Sequence, residues 1–268
     1  MPKYAIMKRH PTRTLLFGIF VTAGRPLTAG QVSRLASPLG ISSSNAMSHL
    51  TRLVAEGALQ RSGPVRLAKY VPSPSQMGLV NGINARLRAE TLEPDLEIWD
   101  GGWLMLVLSP PQNRTKRKQM HASLWFDGFR AVSSSSDTYL RPAWPKQWAI
   151  SRARLYPGTC TYGGLLTPLG ESKVDAMYCL DELDREAKAL AHWVGGRKTR
   201  GSNAQAFAEL LDAGGRVAHL IVHDPRLPPV LWNNRTGLRE LIRSYQEFER
   251  RISPAAQRFV EDSVSSGD

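Results

Sequence analysis

The chain has 268 residues, 42% of them hydrophobic and 22% charged, with a formal charge of +12, the composition of an ordinary folded protein with material for two or three small cores. The longest apolar run, Leu15 to Ala23, contains Gly18 and Thr22 and reaches about half the ~20 residues of a membrane span; turn signals follow it in place of a cleavage site, so a cytoplasmic protein without membrane contact is expected. Cys160 and Cys179 belong to no paired-cysteine motif, which argues against a disulfide framework or a cysteine-zinc site and predicts two reduced packing residues.

Ten lysines and arginines but one carboxylate, Glu56, fall in the first 70 residues, giving +9, whereas the other 198 residues hold 25 basic and 22 acidic side chains, giving +3. A local excess of one sign marks a surface that meets polyanions. Within it, Pro11 suits a first helical turn, and Leu15, Leu16, Ile19 and Phe20 recur at helical spacing up to a break at Gly24 to Pro26. Thr28-Ala29-Gly30-Gln31 has the form of a capping box and predicts a second helix to about Ser37. A turn through Pro38 and Gly40 leads to Ser42, a good N-cap, and to a third helix with Ala46, Leu50, Leu53 and Val54 on one side.

The advance of roughly 100° per residue then points Ser44, Asn45, Ser48, Thr51 and Arg52 away from that core. Small hydroxyls and an amide let a helix sit deep in a major groove, and Arg52 can reach phosphate or guanine. Ala58 to Arg61, a Ser62-Gly63-Pro64 turn and Val65 to Val71 predict a hairpin, with Val65 and Leu67 on one face and Arg66 on the other. Three helices and a basic hairpin make a winged helix-turn-helix over residues 1–75. Its candidate DNA contacts are Ser43, Ser44, Asn45, Ser48, Thr51, Arg52, Arg61 and Arg66. A solvated helical face would carry similar residues, but the one-signed charge favours a double-stranded DNA partner.

Pro72 to Ser75 reads as a linker, followed by a short Arg-rich helix around Gly82 to Glu90, so residues 76–95 are expected to join two domains. Trp99-Asp100-Gly101-Gly102-Trp103 opens a buried strand, Trp103 to Leu108, stopped by Ser109-Pro110-Pro111. Asn113 to Lys118 starts a helix that ends at Trp125 and Phe126, Asp127-Gly128-Phe129 turns, and Arg130 to Val132 returns as a strand. A further strand is expected at Trp148 to Leu155, completing an α+β sheet domain over 96–178. Helical stripes at Leu180, Leu183, Ala187, Leu190, Ala191 and Val194, and at Leu238, Leu241, Ile242, Tyr245 and Phe248, predict a helical C-terminal domain over 179–268. Ser133 to Ser136 and the Ser/Gly tail read as loops.

Chemistry-bearing clusters are few. His219, His223 and Asp224 could face a metal from one helix, but Leu220, Ile221 and Val222 lie among them and Pro225 follows, so packing and helix termination account for them. No phosphate-binding glycine motif, zinc-protease motif or nucleophile elbow occurs, and no catalytic, metal or cofactor site is expected. Arg114, Lys116, Arg117 and Lys118 could add phosphate contacts, and Arg197, Lys198 and Arg200 could grip the phosphates of a coenzyme A moiety; both also fit solvated loops. Trp125, Phe129, Trp144, Trp148 and Trp193 could line a small-molecule pocket or fill cores.

The order of Met47-Ser48-His49-Leu50-Thr51-Arg52-Leu53, Glu56-Gly57-Ala58-Leu59, Trp99-Asp100-Gly101-Gly102-Trp103, Gly128-Phe129 and His223-Asp224-Pro225-Arg226-Leu227-Pro228 resembles the PaaX family of phenylacetate-degradation repressors over nearly the whole chain. The resemblance implies a GntR-like winged-helix repressor with a central ferredoxin-like domain and a helical C-terminal domain. It also implies a homodimer on a palindromic operator, released by an aromatic metabolite or its CoA thioester. Met47 stands where many relatives have arginine, and Trp232 precedes the usual position of a tryptophan, so the operator and effector are left open. The family's central domain is similar in shape to a metal-dependent nuclease, whose chemistry needs an acidic residue at the end of the first strand; here Ser109 and two prolines stand there. A non-specific DNA architectural protein is the third reading.

Overall fold

The computed structural model describes residues 11–64, 67–88, 98–109, 113–133, 137–164, 171–197, 201–232 and 236–265. The architecture is mixed α+β, with an N-terminal segment of helices and a small sheet, a central four-stranded sheet, and a C-terminal region that is all helical. It divides into two compact units that do not follow chain order: Met1–Ala89 with Glu186–Ile221 and Gly237–Asp268, and Glu90–Arg185 with Val222–Thr236.

In the first unit, α1 (Thr12–Ala23) buries Leu16, Ile19 and Phe20 and stops at Gly24, whose left-handed φ of 62° sends its N–H back to Phe20 O. β1 (Leu27–Thr28) leads into α2 (Ala29–Ala36), where the expected capping box is complete: Gln31 N–H donates to Thr28 Oγ1 and Thr28 N–H to Gln31 Oε1. A 3-10 turn, Ser37–Leu39, and Gly40 at φ 71° reverse the chain into α3 (Ser43–Ala55), capped by Ser42 Oγ on Asn45 N–H. Ala46, Leu50 and Leu53 are buried as the periodicity requires, with Val54 half-buried at the margin.

β2 (Leu59–Ser62) and β3 (Lys69–Pro72) form the hairpin, and β1 adds a third antiparallel strand that the sequence did not announce, giving the order β1-β3-β2. The returning strand starts later than Val65. Gly63 at φ 83° and a Leu67 N–H bond to Pro64 O open a wider turn, so Leu67 is 70% exposed, not on an apolar face, and Ala68 and Tyr70 enter the core instead. Val65 and Arg66 lie outside the described residues.

The stretch Pro72 to Ser75, expected as a linker, instead holds the end of β3 at Pro72 and the start of α4 (Pro74–Arg88), a 15-residue helix. Proline at the first helical position loses no intrahelical bond, and Ser73 O accepts from Met77 N–H. Residues 89–97, including the expected end of this helix at Glu90, lie outside the described residues. The same unit holds most of the C-terminal helical layer: the second half of α8 (Leu180–Gly195), α9 (Asn203–His223) up to Ile221, and α10 (Thr236–Ser265) from Gly237.

In the second unit the element order is β4 (Gly102–Leu108), α5 (Arg114–Phe126), β5 (Arg130–Ala131), β6 (Thr138–Pro142), α6 (Lys146–Ala153), β7 (Gly158–Gly164) and α7 (Glu171–Tyr178). The sheet is wholly antiparallel in the order β5-β6-β4-β7. Leu104, Leu106 and Leu108 of β4 pack with Leu124, Phe129, Tyr139, Ala149 and Ala153 into one core. The expected strand at Trp148 to Leu155 is therefore wrong: Pro145 opens helix α6, and Ala149 and Ala153, four apart, bury one helical face. The missing strands are β6 and β7, whose threonine, tyrosine and glycine content gave little apolar alternation. Cys160 stands exposed on β7, not packed as expected, while Cys179 is half-buried.

α8 (Leu180–Gly195), α9 (Asn203–His223) and α10 (Thr236–Ser265) bear out the helical stripes: every residue named for them above is buried. Within the first unit Gly18 of α1 allows close approach of Leu211, and a Cβ there would stand 3.0 Å from the Leu211 methyl. α10 closes on α2, where Arg34 Nε donates to Ser263 O at 2.7 Å and Gln31 Nε2 to Val264 O at 3.2 Å. Among the described residues no helix is long and apolar enough to cross a membrane.

Candidate nucleic-acid interface

α3 turns a mostly polar face outward. Ser43, Ser44, Asn45, Ser48, Thr51 and Arg52 are all exposed, with Met47 between them. Ser43 Oγ lies 3.0 Å from Ser33 Oγ of α2, tying the start of α3 to the preceding helix. Ser48 Oγ donates to Ser44 O at 3.0 Å and Thr51 Oγ1 to Met47 O at 3.1 Å, so both hydroxyl protons are used within the helix. What Ser48 and Thr51 offer outward is lone pairs, suited to amino groups of a base edge, whereas Asn45 and Arg52 supply donors.

One turn after Arg52 stands Glu56, the natural i,i+4 partner of a helical arginine. Its carboxylate is taken by Arg13 of α1 at 2.7 Å. That pair, with both side chains about half exposed, adds little stability but leaves the Arg52 guanidinium available.

On the small sheet the register decides which side chains share a face. Arg61 pairs with Tyr70, so it extends from the core face at its exposed end; Ser62 pairs with Lys69, and Thr28 also pairs with Lys69, on the opposite face. Lys69 is exposed there and was not among the sequence candidates, because the expected strand boundaries put the outward charge at Arg66. Arg114, Lys116 and Arg117 are exposed on α5, in the second unit; the Lys118 side chain lies outside what is described.

The charge division is sharper between units than along the chain. Counted over the two units, the first holds 22 basic and 10 acidic residues, +12, and the second 13 and 13, a formal charge of zero. The entire excess belongs to the unit that carries α3.

The motifs quoted from the middle of the chain converge in the second unit as a buried polar cluster. Asp127 is fully buried and accepts from Arg152 Nε at 2.8 Å and Tyr156 Oη at 2.5 Å. Arg141, 1% exposed, donates to Pro142 O, Trp144 O and Asp127 O. Burial lowers its guanidinium from the usual arginine range, against the raising effect of Asp127. Gly128 at φ 80° brings its backbone against Pro225, and Asp224, buried, accepts from Arg226 N–H at 3.0 Å to shape the Asp-Pro turn. Arg226 stacks on Trp148, and Phe129 and Trp144 are core residues.

Asp100 shapes the turn into β4: it accepts from Gly102 N–H at 2.9 Å, from Tyr162 Oη at 2.6 Å and from Lys146 Nζ at 3.0 Å. The Tyr162 and Lys146 bonds hold its carboxyl down at about 2. His223 sits at the end of α9 with its ring 6.2 Å from that of Trp125. Among the described residues no group of three His, Cys, Asp or Glu side chains is placed to hold a metal ion. In the first unit Arg197 stacks on Trp193 at 3.9 Å and reaches Glu209 at 3.7 Å; Lys198 and Arg200 lie outside the described residues. An open cleft of about 410 Å³ lies between the 3-10 turn before α3 and the first turns of α9, lined by Ser37, Pro38, Ala204, Gln205, Ala208 and Glu209.

No protein-family model matches the chain, and no curated protein matches it. Among solved structures, an uncharacterized protein of Mycobacterium tuberculosis, Rv0674, is similar in fold with a TM-score of 0.54 and 17% sequence identity, over 94% of this chain and 98% of that one. The likeness extends to the whole architecture and says nothing of activity.

Proposed function

We propose that the protein is a ligand-responsive transcriptional repressor whose α3 enters the DNA major groove. The observation that carries this reading is the exposed Ser44/Asn45/Ser48/Thr51/Arg52 face on a unit that holds all of the +12 formal charge. In this reading α1 to α3 with β1 to β3 are a winged helix-turn-helix, and Arg61 and Lys69 of the hairpin contact phosphate beside the reading helix. The strand-helix-strand-strand-helix-strand order of the second unit, with its first and third strands central, is read as a ferredoxin-like domain. With the sequence motifs, this supports a PaaX-like repressor of a catabolic operon, released from a palindromic operator by an aromatic compound or its CoA thioester.

The test is an electrophoretic shift with the duplex upstream of the protein's own gene and random duplex as competitor. A sequence-specific repressor holds its operator against excess random duplex and releases it when the correct aromatic acid or thioester is added. Equal competition by random duplex refutes the reading in favour of a non-specific architectural protein.

A further inference from the structure

The two edges of the four-stranded sheet are unlike. β5 is two residues long and begins with Arg130, a short edge of the kind that resists pairing with another chain. β7 is seven residues long, Gly-Thr-Cys-Thr-Tyr-Gly-Gly, with no charged residue and no proline. Gly158 to Gly163 are all exposed.

The direction of its free backbone groups follows from the β4 ladder. Leu108 N–H reaches Asp137 O beside β6, and Gly102 O receives Ala143 N–H on the same side, whereas Ser109 N–H turns to Pro157 O. Even-numbered residues of β4 therefore address β6, and odd-numbered residues address β7. Val107, Met105 and Trp103 pair with Thr159, Thr161 and Gly163, so these three β7 residues spend their backbone groups on β4. Gly158, Cys160, Tyr162 and Gly164 point theirs away from the sheet.

We infer that β7 pairs antiparallel with β7 of a second copy of this chain, joining two sheets across a two-fold axis. Centred on Thr161, the axis sets Cys160 against Tyr162 of the other copy and Gly158 against Gly164, so every outward-pointing residue of the strand meets another. Thr161 then faces its own symmetry mate in a non-hydrogen-bonded pair, with Cα atoms ~4.5 Å apart. A second copy is the fitting occupant because a two-fold contact sets like against like. Two chains of +12 repel except through uncharged surface, and this strand is uncharged within the unit of zero formal charge. Met105 and Val107, 40% and 42% exposed, lie one strand further in on the face of Thr159 and Thr161, so that face also carries no charge next to the contact.

The test uses the full chain without DNA. Sedimentation should give twice the chain mass at micromolar concentration. Cys160→Pro removes an outward N–H and leaves the bonds to β4 intact, so it should return a folded monomer with an unchanged far-ultraviolet spectrum. Should that variant not fold, Cys160→Lys places two like charges at the contact and should also give a monomer. In a Cys160→Ser background, Thr161→Cys should form an interchain disulfide under oxidised glutathione, since ~4.5 Å lies within the Cα range of such bonds. A monomeric wild type, or a folded Cys160→Lys dimer, overturns the inference, and a dimer in which Thr161→Cys fails to cross-link overturns the register. A monomer that still binds its operator specifically would sink this interface and leave the DNA reading standing.

Discussion

Arg52→Ala tests the DNA reading where it is most exposed to failure. Arg52 lies on the outward face of α3, and the carboxylate one turn on is held by Arg13 at 2.7 Å, so its loss disturbs no described ion pair of the fold. The substitution puts alanine, the best helix former, at a solvent position and should leave stability unchanged or slightly improved. If Arg52 touches phosphate, the variant loses one released counterion, and the slope of log affinity against log salt becomes shallower by about 0.9. If it reads a guanine edge, the loss is ~1–3 kcal/mol, roughly 5- to 150-fold in affinity, and discrimination at that base pair relaxes. Fluorescence anisotropy of labelled operator over a salt series separates the two outcomes, and thermal melting checks the fold. Wild-type affinity with an unaltered salt slope would show that α3 is not inserted where the reading places it. The neighbouring pair gives a complementary check: Arg13→Ala frees Glu56 to engage Arg52 and should weaken operator binding, whereas Arg13→Ala with Glu56→Gln should restore most of it.

Three further outcomes follow from the packing. Gly128→Ala forces a Cβ to 2.8 Å from the Pro225 carbonyl oxygen at a φ of 80°; the left-handed backbone alone costs about 1–2 kcal/mol, and a fall of several degrees in melting temperature is expected, with no change refuting the close approach. Arg34→Ala removes the cation that bonds the Ser263 carbonyl in the last turn of α10; a partly buried, charge-assisted bond of this kind contributes about 1 kcal/mol, and hydrogen exchange should show the final turn of α10 losing protection. The Asp100 carboxyl lies near 2 when folded against an ordinary 3.8, so its contribution is complete above pH 4 and fades as pH falls through about 2; urea melts should show an acid-side loss of stability that Asp100→Asn lacks. Lys146, raised to about 12 by the same partners, carries the mirror-image limb, present below its ordinary value and lost only at strongly alkaline pH.

The parts legible in the sequence were those with local causes. The capping box at Thr28, the Ser42 N-cap and the Gly40 turn are written in side chains that act within four residues, and the helical stripes from Leu180 onward repeat at a period that only a helix satisfies. β7 could not be read in the same way. Thr159, Cys160, Thr161 and Tyr162 do alternate, but over only four residues flanked by Gly158, Gly163 and Gly164, and Gly158 to Gly163 are exposed, so no run of large apolar side chains marks a buried face. The same reasoning explains α6: Trp148, Ala149, Ile150 and Ala153 are apolar at both helical and extended spacings, and the arbiter was Pro145 at the N-cap. On the hairpin, the register that takes Tyr70 into the core turns Lys69 outward, which no local signal announces. The division of the chain into units with interleaved segments was likewise beyond reach, since it rests on contacts between residues more than 200 positions apart, such as Arg34 with Ser263.

The separation of charge between the units makes the two proposed associations distinguishable by one variable. Contact with DNA neutralises phosphates and releases counterions, so it weakens steeply as salt rises. A strand-edge contact between uncharged surfaces releases none, and it is indifferent to screening. Raising salt from 0.05 to 0.5 M, roughly a threefold shortening of the screening length, should therefore strip the operator while the sedimenting species keeps its mass. If mass and operator occupancy fell together, the self-contact would be electrostatic in origin, and the neutral β7 edge could not be its seat.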